Sequence, residues 1–251
     1  MIHFHRDEDE ELLVEAAARF AAERLAPDER THEKLGYPQS LRTEYAELGF
    51  TELDEVSVQV CIRVWMALAE ADPTAPLALI AQPQHGDGSL GMRAGGGARV
   101  PIPDLSESQR RVFAASLILG AARHAYAYAR NYASERIVFG RPIAHHQGIA
   151  FQLVDCAVAI EAAECLLIQA AGEGSPVAIA NAYLLAVEAG DMVTDRAVQF
   201  LGGHGYLFDH PVEKRMRDVR ALALLWGGTT AAREVVSDGL LDLPPAIEVP
   251  A

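Results

Sequence analysis

Apolar residues recur at helical spacing along most of this chain, and they predict a mainly α-helical fold. In the amino-terminal third, the pattern predicts helices over residues 7–25, 38–48 and about 56–70. Pro27 is expected to end the first of them, because proline cannot extend a helix. Further along, four helices are predicted over residues 106–134, 144–171, 176–201 and 229–240. Their short connections favour antiparallel neighbours, and therefore a four-helix bundle.

The segment between these two helical parts has a different composition. Residues 81–103 contain a run of three glycines beginning at Gly95, and Pro101 and Pro103 follow it; glycine and proline at this density oppose regular helix. Short strands over residues 77–81 and 98–102 could pair as a hairpin, and a flexible linker is the open alternative. The expected units are a helical segment over residues 1–72, a linker or remnant hairpin over 73–103, a bundle over 104–240 and a tail over 241–251.

Charge and composition narrow the classes of function. The formal net charge of −14 argues against nucleic-acid binding through a general basic field. The first six residues, Met1 to Arg6, lead straight into an acidic run and do not resemble a signal peptide. Apolar runs of membrane-spanning length are all interrupted by charged or helix-breaking residues. We therefore expect a cytoplasmic protein with no nucleic-acid and no membrane partner.

The cysteines and histidines do not indicate a metal site. Three cysteines without a CxxC spacing argue against a disulfide framework or a zinc site. We interpret all three, Cys61, Cys156 and Cys165, as small core residues. His145 and His146 are adjacent and so do not share a helix face, which makes a metal-binding pair unexpected.

Three motifs follow one another in the carboxy-terminal half. The first runs from Arg136 through Phe139-Gly140 and Pro142-Ile143 to Gln147. The second runs from Gln199 through Gly202-Gly203-His204-Gly205-Tyr206 to the segment 211–218, and the third is Gly227-Gly228-Thr229. Taken alone, the glycine turn could simply end a helix, or its backbone amides could contact a phosphate. Likewise, Arg136 is either a surface charge or a ligand for a diphosphate.

In this order and spacing, the motifs resemble those of the acyl-CoA dehydrogenase family. The resemblance covers about residues 104–240, and residues 7–70 are more weakly similar to the amino-terminal helices of the family. It implies FAD as the cofactor, an acyl-CoA thioester as the substrate, and a four-helix FAD-binding bundle preceded by a few helices. Residues that match those contacting the adenosine diphosphate half of FAD, often across a subunit interface, are Arg136, Phe139, Gln147, Gln199, Gly202 and Gly203. Thr229 resembles a threonine beside the flavin, and Arg111 resembles an arginine that supports the acyl-CoA pocket.

The first departure from the family concerns its middle domain. Family members usually carry a β-barrel between the two helical parts, where it covers one face of the flavin. Only about 30 residues, roughly 73–103, are available for it here, and a closed barrel does not fit in that length. The barrel is therefore expected to be absent or reduced to a short hairpin or loop.

The second departure concerns the catalytic base. The family reaction removes an α-proton from the thioester while the β-hydride passes to the flavin, so a carboxylate must lie within reach of the α-carbon. Where many members carry this glutamate, alternative registers place Trp226 or Gly227. Where others carry it, near the start of the long helix, Arg110 stands. Glu107 lies about one turn earlier and is a weak substitute.

These features give one leading hypothesis and two alternatives. In the first, the chain contributes the adenosine-side half of an FAD site, and a longer acyl-CoA dehydrogenase-like chain carries the base. The two chains form an α2β2 heterotetramer. Self-association as a dimer or tetramer is the other expected assembly. The first alternative is a non-catalytic structural or regulatory homologue that forms a helical oligomer. The second is a self-sufficient enzyme that uses Glu107 or another group.

Overall fold

The computed structural model describes residues 8–51, 53, 56–80 and 105–241. Within these ranges it contains ten α-helices and one two-stranded antiparallel hairpin. Five helices precede residue 81: α1 (Glu8–Phe20), α2 (Glu29–Leu35), α3 (Gln39–Glu47), α4 (Val58–Ala71) and α5 (Ala75–Ile80). Five follow residue 104: α6 (Glu107–Glu135), α7 (Gln147–Glu173), α8 (Pro176–Leu201), α9 (Val212–Leu222) and α10 (Gly228–Leu241). The mainly α-helical fold is confirmed.

The first predicted helix, residues 7–25, is confirmed as α1 and the π-helical turn after it, but the chain does not leave the helical path at Pro27 as expected. After α1 the chain continues through a π-helical turn, Ala21–Leu25, and a 3-10 turn, Ala26–Asp28, directly into α2. Pro27 lies in the first turn of the 3-10 segment, where its missing N–H removes no internal hydrogen bond. The seven residues of α2 are too short and too polar to show a helical period.

The prediction of a strand over residues 77–81 is also wrong, because residues 75–80 form α5. Asp72 starts this helix: its carboxylate accepts hydrogen bonds from the backbone and hydroxyl of Thr74, at 3.2 and 2.9 Å. Residues 75 to 79 are all buried, so the apolar run is a buried helix, which periodicity does not distinguish from a strand. The remainder of the expected hairpin, residues 81 and 98–102, lies outside the described residues.

The four predicted bundle helices are confirmed as α6, α7, α8 and α10, with ends shifted by a few residues. Ser106 caps α6 in a reciprocal capping box with Gln109. The helix α9 was not predicted, and it packs against α6 and α8. Among the described residues, the stretch Pro176–Tyr206, comprising α8 and the turn after it, is long and apolar enough to cross a membrane, and half of its most apolar window is buried. The central helix of a bundle has the same character.

The amino-terminal helices pack directly on the bundle. A Cβ on Gly120 of α6 would lie 2.4 Å from the carbonyl oxygen of Met66 in α4, so only glycine allows this close crossing. The cysteine prediction is confirmed for Cys61 and Cys156, which are buried, and is wrong for Cys165, which is exposed on α7. That position lies on the solvent side of an otherwise apolar helix, so composition alone suggested burial.

Candidate functional site

The first motif shapes the chain at the carboxy-terminal end of α6. Arg136 follows the last residue of the helix, and its N–H donates to the carbonyl of Tyr132. A tight hairpin comes next, with Ile137 paired to Pro142 and Val138 paired to Arg141. Its two turn residues, Phe139 and Gly140, have φ of 53° and 79°, as a two-residue hairpin turn requires. The turn leaves Phe139 93% exposed.

The second motif ends α8 with a folded-back 3-10 turn, Gly202–Tyr206. Gly202 has a φ of 59°, which is strained for other residues. A Cβ on Gly205 would lie 2.3 Å from the carbonyl oxygen of Val198, so the turn can pack on α8 only because residue 205 is glycine. By contrast, a Cβ on Gly202 or Gly203 would meet nothing within 4 Å. The backbone of these two residues is therefore open to an approaching ligand.

A cavity of about 400 Å³ lies where the ends of α6 and α8 meet. It is lined by four of the six residues predicted for the adenosine half of FAD: Arg136, Gln199, Gly202 and Gly203. The Arg136 side chain is exposed and forms no ion pair with any described residue. An unpaired guanidinium beside open glycine backbone fits a diphosphate, because both offer N–H donors to its oxygens.

The other two predicted cofactor residues lie outside this cavity. Phe139 is at the tip of the hairpin, with its ring edge-on to His146 at 6.3 Å between centroids. Gln147 is exposed as the first residue of α7. Among the other lining residues, two carry polar side chains to which the motifs assigned no role, Tyr132 and His204. The spacing of Tyr132 one turn before Arg136 is the signal that could have identified it.

The residues predicted for the substrate and the base lie at the other end of α6. Arg111 is buried in the first turns of this helix, and its guanidinium is ion-paired with Glu107. Glu107 itself is largely exposed. The weak candidate for the base is thus already bound to the arginine predicted to support the acyl-CoA pocket. Arg110 is half-buried, and its Nε has no hydrogen-bond partner within the described part of the chain.

The loop between α9 and α10 carries no carboxylate where the family places one. Trp226, Gly227 and Gly228 have successive positive φ angles of 49°, 88° and 58°. Trp226 packs against the core of the bundle, in a left-handed conformation that costs a non-glycine residue about 1–2 kcal/mol. Tyr183 of α8 donates its hydroxyl to the carbonyl of Ala223 at 3.0 Å, and burial raises the pKa of Tyr183 to about 12.

Thr229 begins α10, directly after this loop. It is half-buried, and its hydroxyl accepts a hydrogen bond of 3.2 Å from Arg233. The neighbouring Trp226 packs against the same buried cluster as the first half of α6, residues 112–121. Thr229 therefore lies near the Arg111 end of α6, and it does not line the cavity at the Arg136 end.

The length of α6 separates these two groups. Arg111 and Arg136 are 25 positions apart along the helix, and at a rise of about 1.5 Å per residue this gives about 37 Å. The six residues matched to the adenosine half of FAD all lie near the Arg136 end, on the hairpin, the start of α7 and the end of α8. No group of three or more possible metal ligands occurs among the residues that the structure describes.

Comparisons with known proteins agree with the motifs. The family model for the carboxy-terminal domain of acyl-CoA dehydrogenases matches residues 95–241. The chain is 37% identical over 138 residues to a 3-sulfinopropanoyl-CoA desulfinase of Cupriavidus necator, covering 53% of this chain and 35% of that protein. It is 37% identical over 148 residues to a short-chain-specific acyl-CoA dehydrogenase of Clostridium acetobutylicum, covering 57% of this chain and 39% of that protein. The chain thus matches little more than a third of the length of these relatives.

The fold extends the similarity to the amino-terminal helices. A glutaryl-CoA dehydrogenase of Mycobacterium smegmatis, solved in complex with FADH2, superposes with a TM-score of 0.78 over 96% of this chain and 97% of that one, at 13% identity. At that identity the similarity shows the fold alone. The family model covers more than half of the sequence, and its match includes all three motifs. The chain therefore belongs to the acyl-CoA dehydrogenase family, whose members act on acyl-CoA thioesters.

Proposed function

We propose that this chain is a subunit of an FAD-dependent acyl-CoA dehydrogenase and contributes the adenosine-side half of an FAD site. The reaction is the α,β-dehydrogenation of an acyl-CoA thioester, and the catalytic base belongs to a partner chain. One observation carries the proposal. The cavity that fits a diphosphate lies at the Arg136 end of α6, about 37 Å along the helix from Arg111, and Thr229, which resembles the threonine beside the flavin, does not line it. We therefore assign the cavity to a flavin held by another chain.

Each residue of the half-site has a distinct task. Arg136 binds the diphosphate through its guanidinium, while the backbone of Gly202 and Gly203 approaches the phosphate oxygens closely. Gln199 offers an amide to the ribose or the adenine. The exposed Phe139 and Gln147 add contacts from the hairpin and the start of α7. Bound FAD supplies the hydride acceptor of the reaction.

The substrate end of this chain supports the same assignment. Arg111 lies where it can stabilise an acyl-CoA pocket. Its guanidinium is ion-paired with Glu107, which engages the weak candidate for the base. A carboxylate cannot be added at Gly227 without strain, because its φ is 88° and a Cβ would lie 2.8 Å from the Cβ of Ala231. Proton abstraction is therefore assigned to the partner.

The surface beside the half-site is suited to a partner chain. Phe151, Val154 and Val158 lie on one face of α7 and are 62%, 59% and 58% exposed. This apolar stripe starts one helical turn after Gln147. Exposed apolar stripes of this kind mark protein interfaces, because burying them removes apolar surface from water. A partner docked on the stripe would bring its flavin next to the cavity.

The test is the visible spectrum and the solution mass of the purified chain, alone and mixed with a longer acyl-CoA dehydrogenase-like chain from the same genome. We expect flavin bands only in an assembly of two or more chains. Val158→Glu should dissociate that assembly and release the flavin, because it places a charge in an apolar interface. The matched control is Asn181→Glu, which adds the same charge at an exposed position of α8 and should leave the assembly intact.

Other outcomes would replace the proposal. Stoichiometric flavin bound by a monomer of this chain would show that the site is self-sufficient, and Glu107 would be the next residue to substitute. Absence of flavin under every condition, with a stable helical oligomer, would support a non-catalytic structural homologue.

A further inference from the structure

Two tyrosines and two histidines form a contiguous group, and two of the four line the cavity. We call Tyr128, Tyr132, His204 and His210 the Tyr–His group. The hydroxyl of Tyr128 lies 2.8 Å from Nδ1 of His210, and that of Tyr132 lies 3.2 Å from Nδ1 of His204. The two imidazole rings are edge-to-face, with centroids 5.6 Å apart. The tyrosines are one turn apart on α6, so the helix spaces the group.

Within the group, Tyr132 and His204 line the cavity themselves. Tyr132 holds Nδ1 of His204, whereas Nε2 has no hydrogen-bond partner among the described residues. When Tyr132 donates to Nδ1, the neutral imidazole carries its proton on Nε2, and when the ring is protonated both nitrogens donate. With Tyr132 as the donor, Nε2 is an N–H donor in the neutral and in the protonated ring, and His204 lines the same cavity as Arg136, Gly202 and Gly203.

The charged groups on the packed elements do not cancel a positive charge on His204. Tyr132 of α6 and the unpaired Arg136 directly after this helix line the cavity, and the polar lining residue of α8 is the neutral Gln199. The connection to α9 contributes His210 and the exposed Asp209. Glu213 on α9 is ion-paired with Arg30 and Arg217 at 2.7 and 2.8 Å, and Asp195 on α8 lies 3.7 Å from Arg220.

We propose that His204 is a diphosphate-binding residue of the cavity, positioned by Tyr132. This assignment rests on the proposed function, since it takes the diphosphate ligand from it. The imidazole donates from Nε2 to a phosphate oxygen that Arg136 also contacts. Phosphate binding by the backbone amides of the glycine motif does not require a histidine at position 204. The His204 side chain therefore adds an interaction of its own.

The protonation of His204 makes this interaction measurable. A bound diphosphate is attracted more strongly by an imidazolium than by the neutral ring. Affinity for a diphosphate should therefore increase as pH falls across the range in which imidazoles gain a proton.

The experiment measures binding of ADP-ribose to the full chain by calorimetry between about pH 5.5 and about pH 8. The diphosphate of ADP-ribose is a diester and does not titrate in this range, so the pH dependence reports on the protein. We expect affinity to be about tenfold higher at the acidic end. His204→Gln should remove most of this dependence. His145→Gln is the matched control, because His145 is exposed and does not line the cavity.

A spectroscopic readout separates positioning from a structural role. In Tyr132→Phe the ring remains but the hydroxyl that orients His204 is lost. We expect weaker binding and a smaller ligand-induced change in the NMR signals of the His204 imidazole. Binding of ADP-ribose with the same pH dependence in wild type and His204→Gln would overturn the assignment and leave the half-site standing. Absence of ADP-ribose binding at every pH would overturn the assignment of His204, and the flavin spectrum of the assembly would then decide separately whether the half-site stands.

Discussion

The substitution Asp72→Asn tests a buried ion-pair network that joins the amino-terminal helices to the bundle. Asp72 follows α4 and is completely buried. Its carboxylate accepts hydrogen bonds from Tyr37 at 2.6 Å, from the hydroxyl and N–H of Thr74, and from Lys214 of α9 at 3.2 Å. Asparagine preserves the shape and can exchange donor and acceptor with Tyr37, so the main loss is the negative charge facing Lys214.

The magnitude follows from what remains beside Lys214. Its ammonium is buried too, and without Asp72 it keeps Asp218 at 2.6 Å and Glu29 at 3.5 Å. Glu29 is shared with Arg215. Breaking one arm of a buried ion pair costs about 3–5 kcal/mol when the other charge is left unpaired. Because Lys214 retains two partners, we expect Asp72→Asn to lower the free energy of unfolding by about 3 kcal/mol, at the lower end of that range.

Urea denaturation followed by circular dichroism measures this loss. Asp191→Asn is the control, since Asp191 forms a 3.0 Å pair with Arg220 in which both side chains are about half exposed, and it should cost at most about 0.5 kcal/mol. Equal losses in the two variants would refute the reasoning. Burial alone would raise the pKa of Asp72, but Lys214, Tyr37, Arg215 and Thr74 together hold it below its usual value. The stabilisation is therefore present above about pH 3.9 and is lost as pH falls through the folded pKa, so the two proteins should converge in acid.

Two further substitutions test the same packing from other sides. For Asp218→Asn we expect a change within about 1 kcal/mol at neutral pH. Burial outweighs the Lys214 contact and raises the pKa of the Asp218 carboxyl, so ionisation of this group lowers the free energy of unfolding as pH rises through the folded pKa. Denaturation at two pH values checks this pH dependence. A loss as large as that of Asp72→Asn would contradict it. Gly120→Ala should destabilise the protein by about 2–3 kcal/mol, because the added methyl group meets the α4 backbone at 2.4 Å. Gly148→Ala, where a Cβ meets nothing within 4 Å, should be neutral or stabilising by up to about 1 kcal/mol, and thermal unfolding compares the two.

The long helices of the bundle could be predicted because local signals agree there. The apolar period, the capping box at Ser106 and the serine and proline that start α8 all point to the same boundaries. The helices α2, α5 and α9 were missed for the opposite reason. All three are short, and α2 and α9 are predominantly polar. The latter two are stabilised by distant contacts, such as those of Lys214 and Arg215 of α9 with residues about 140 to 190 positions away.

For the candidate site, the sequence by itself determined the chemical types and the order of the motifs. Glycines at 202 and 205 and the arginine at 136 could be recognised because turn geometry and diphosphate binding demand those residue types. Only the tertiary structure decided that Arg136, Gln199, Gly202 and Gly203 share one cavity, that Tyr132 contacts His204, and that Thr229 and Trp226 do not line this cavity. The physical reason is that helix packing and helix length set distances between residues that are far apart in the chain, and no local pattern encodes them.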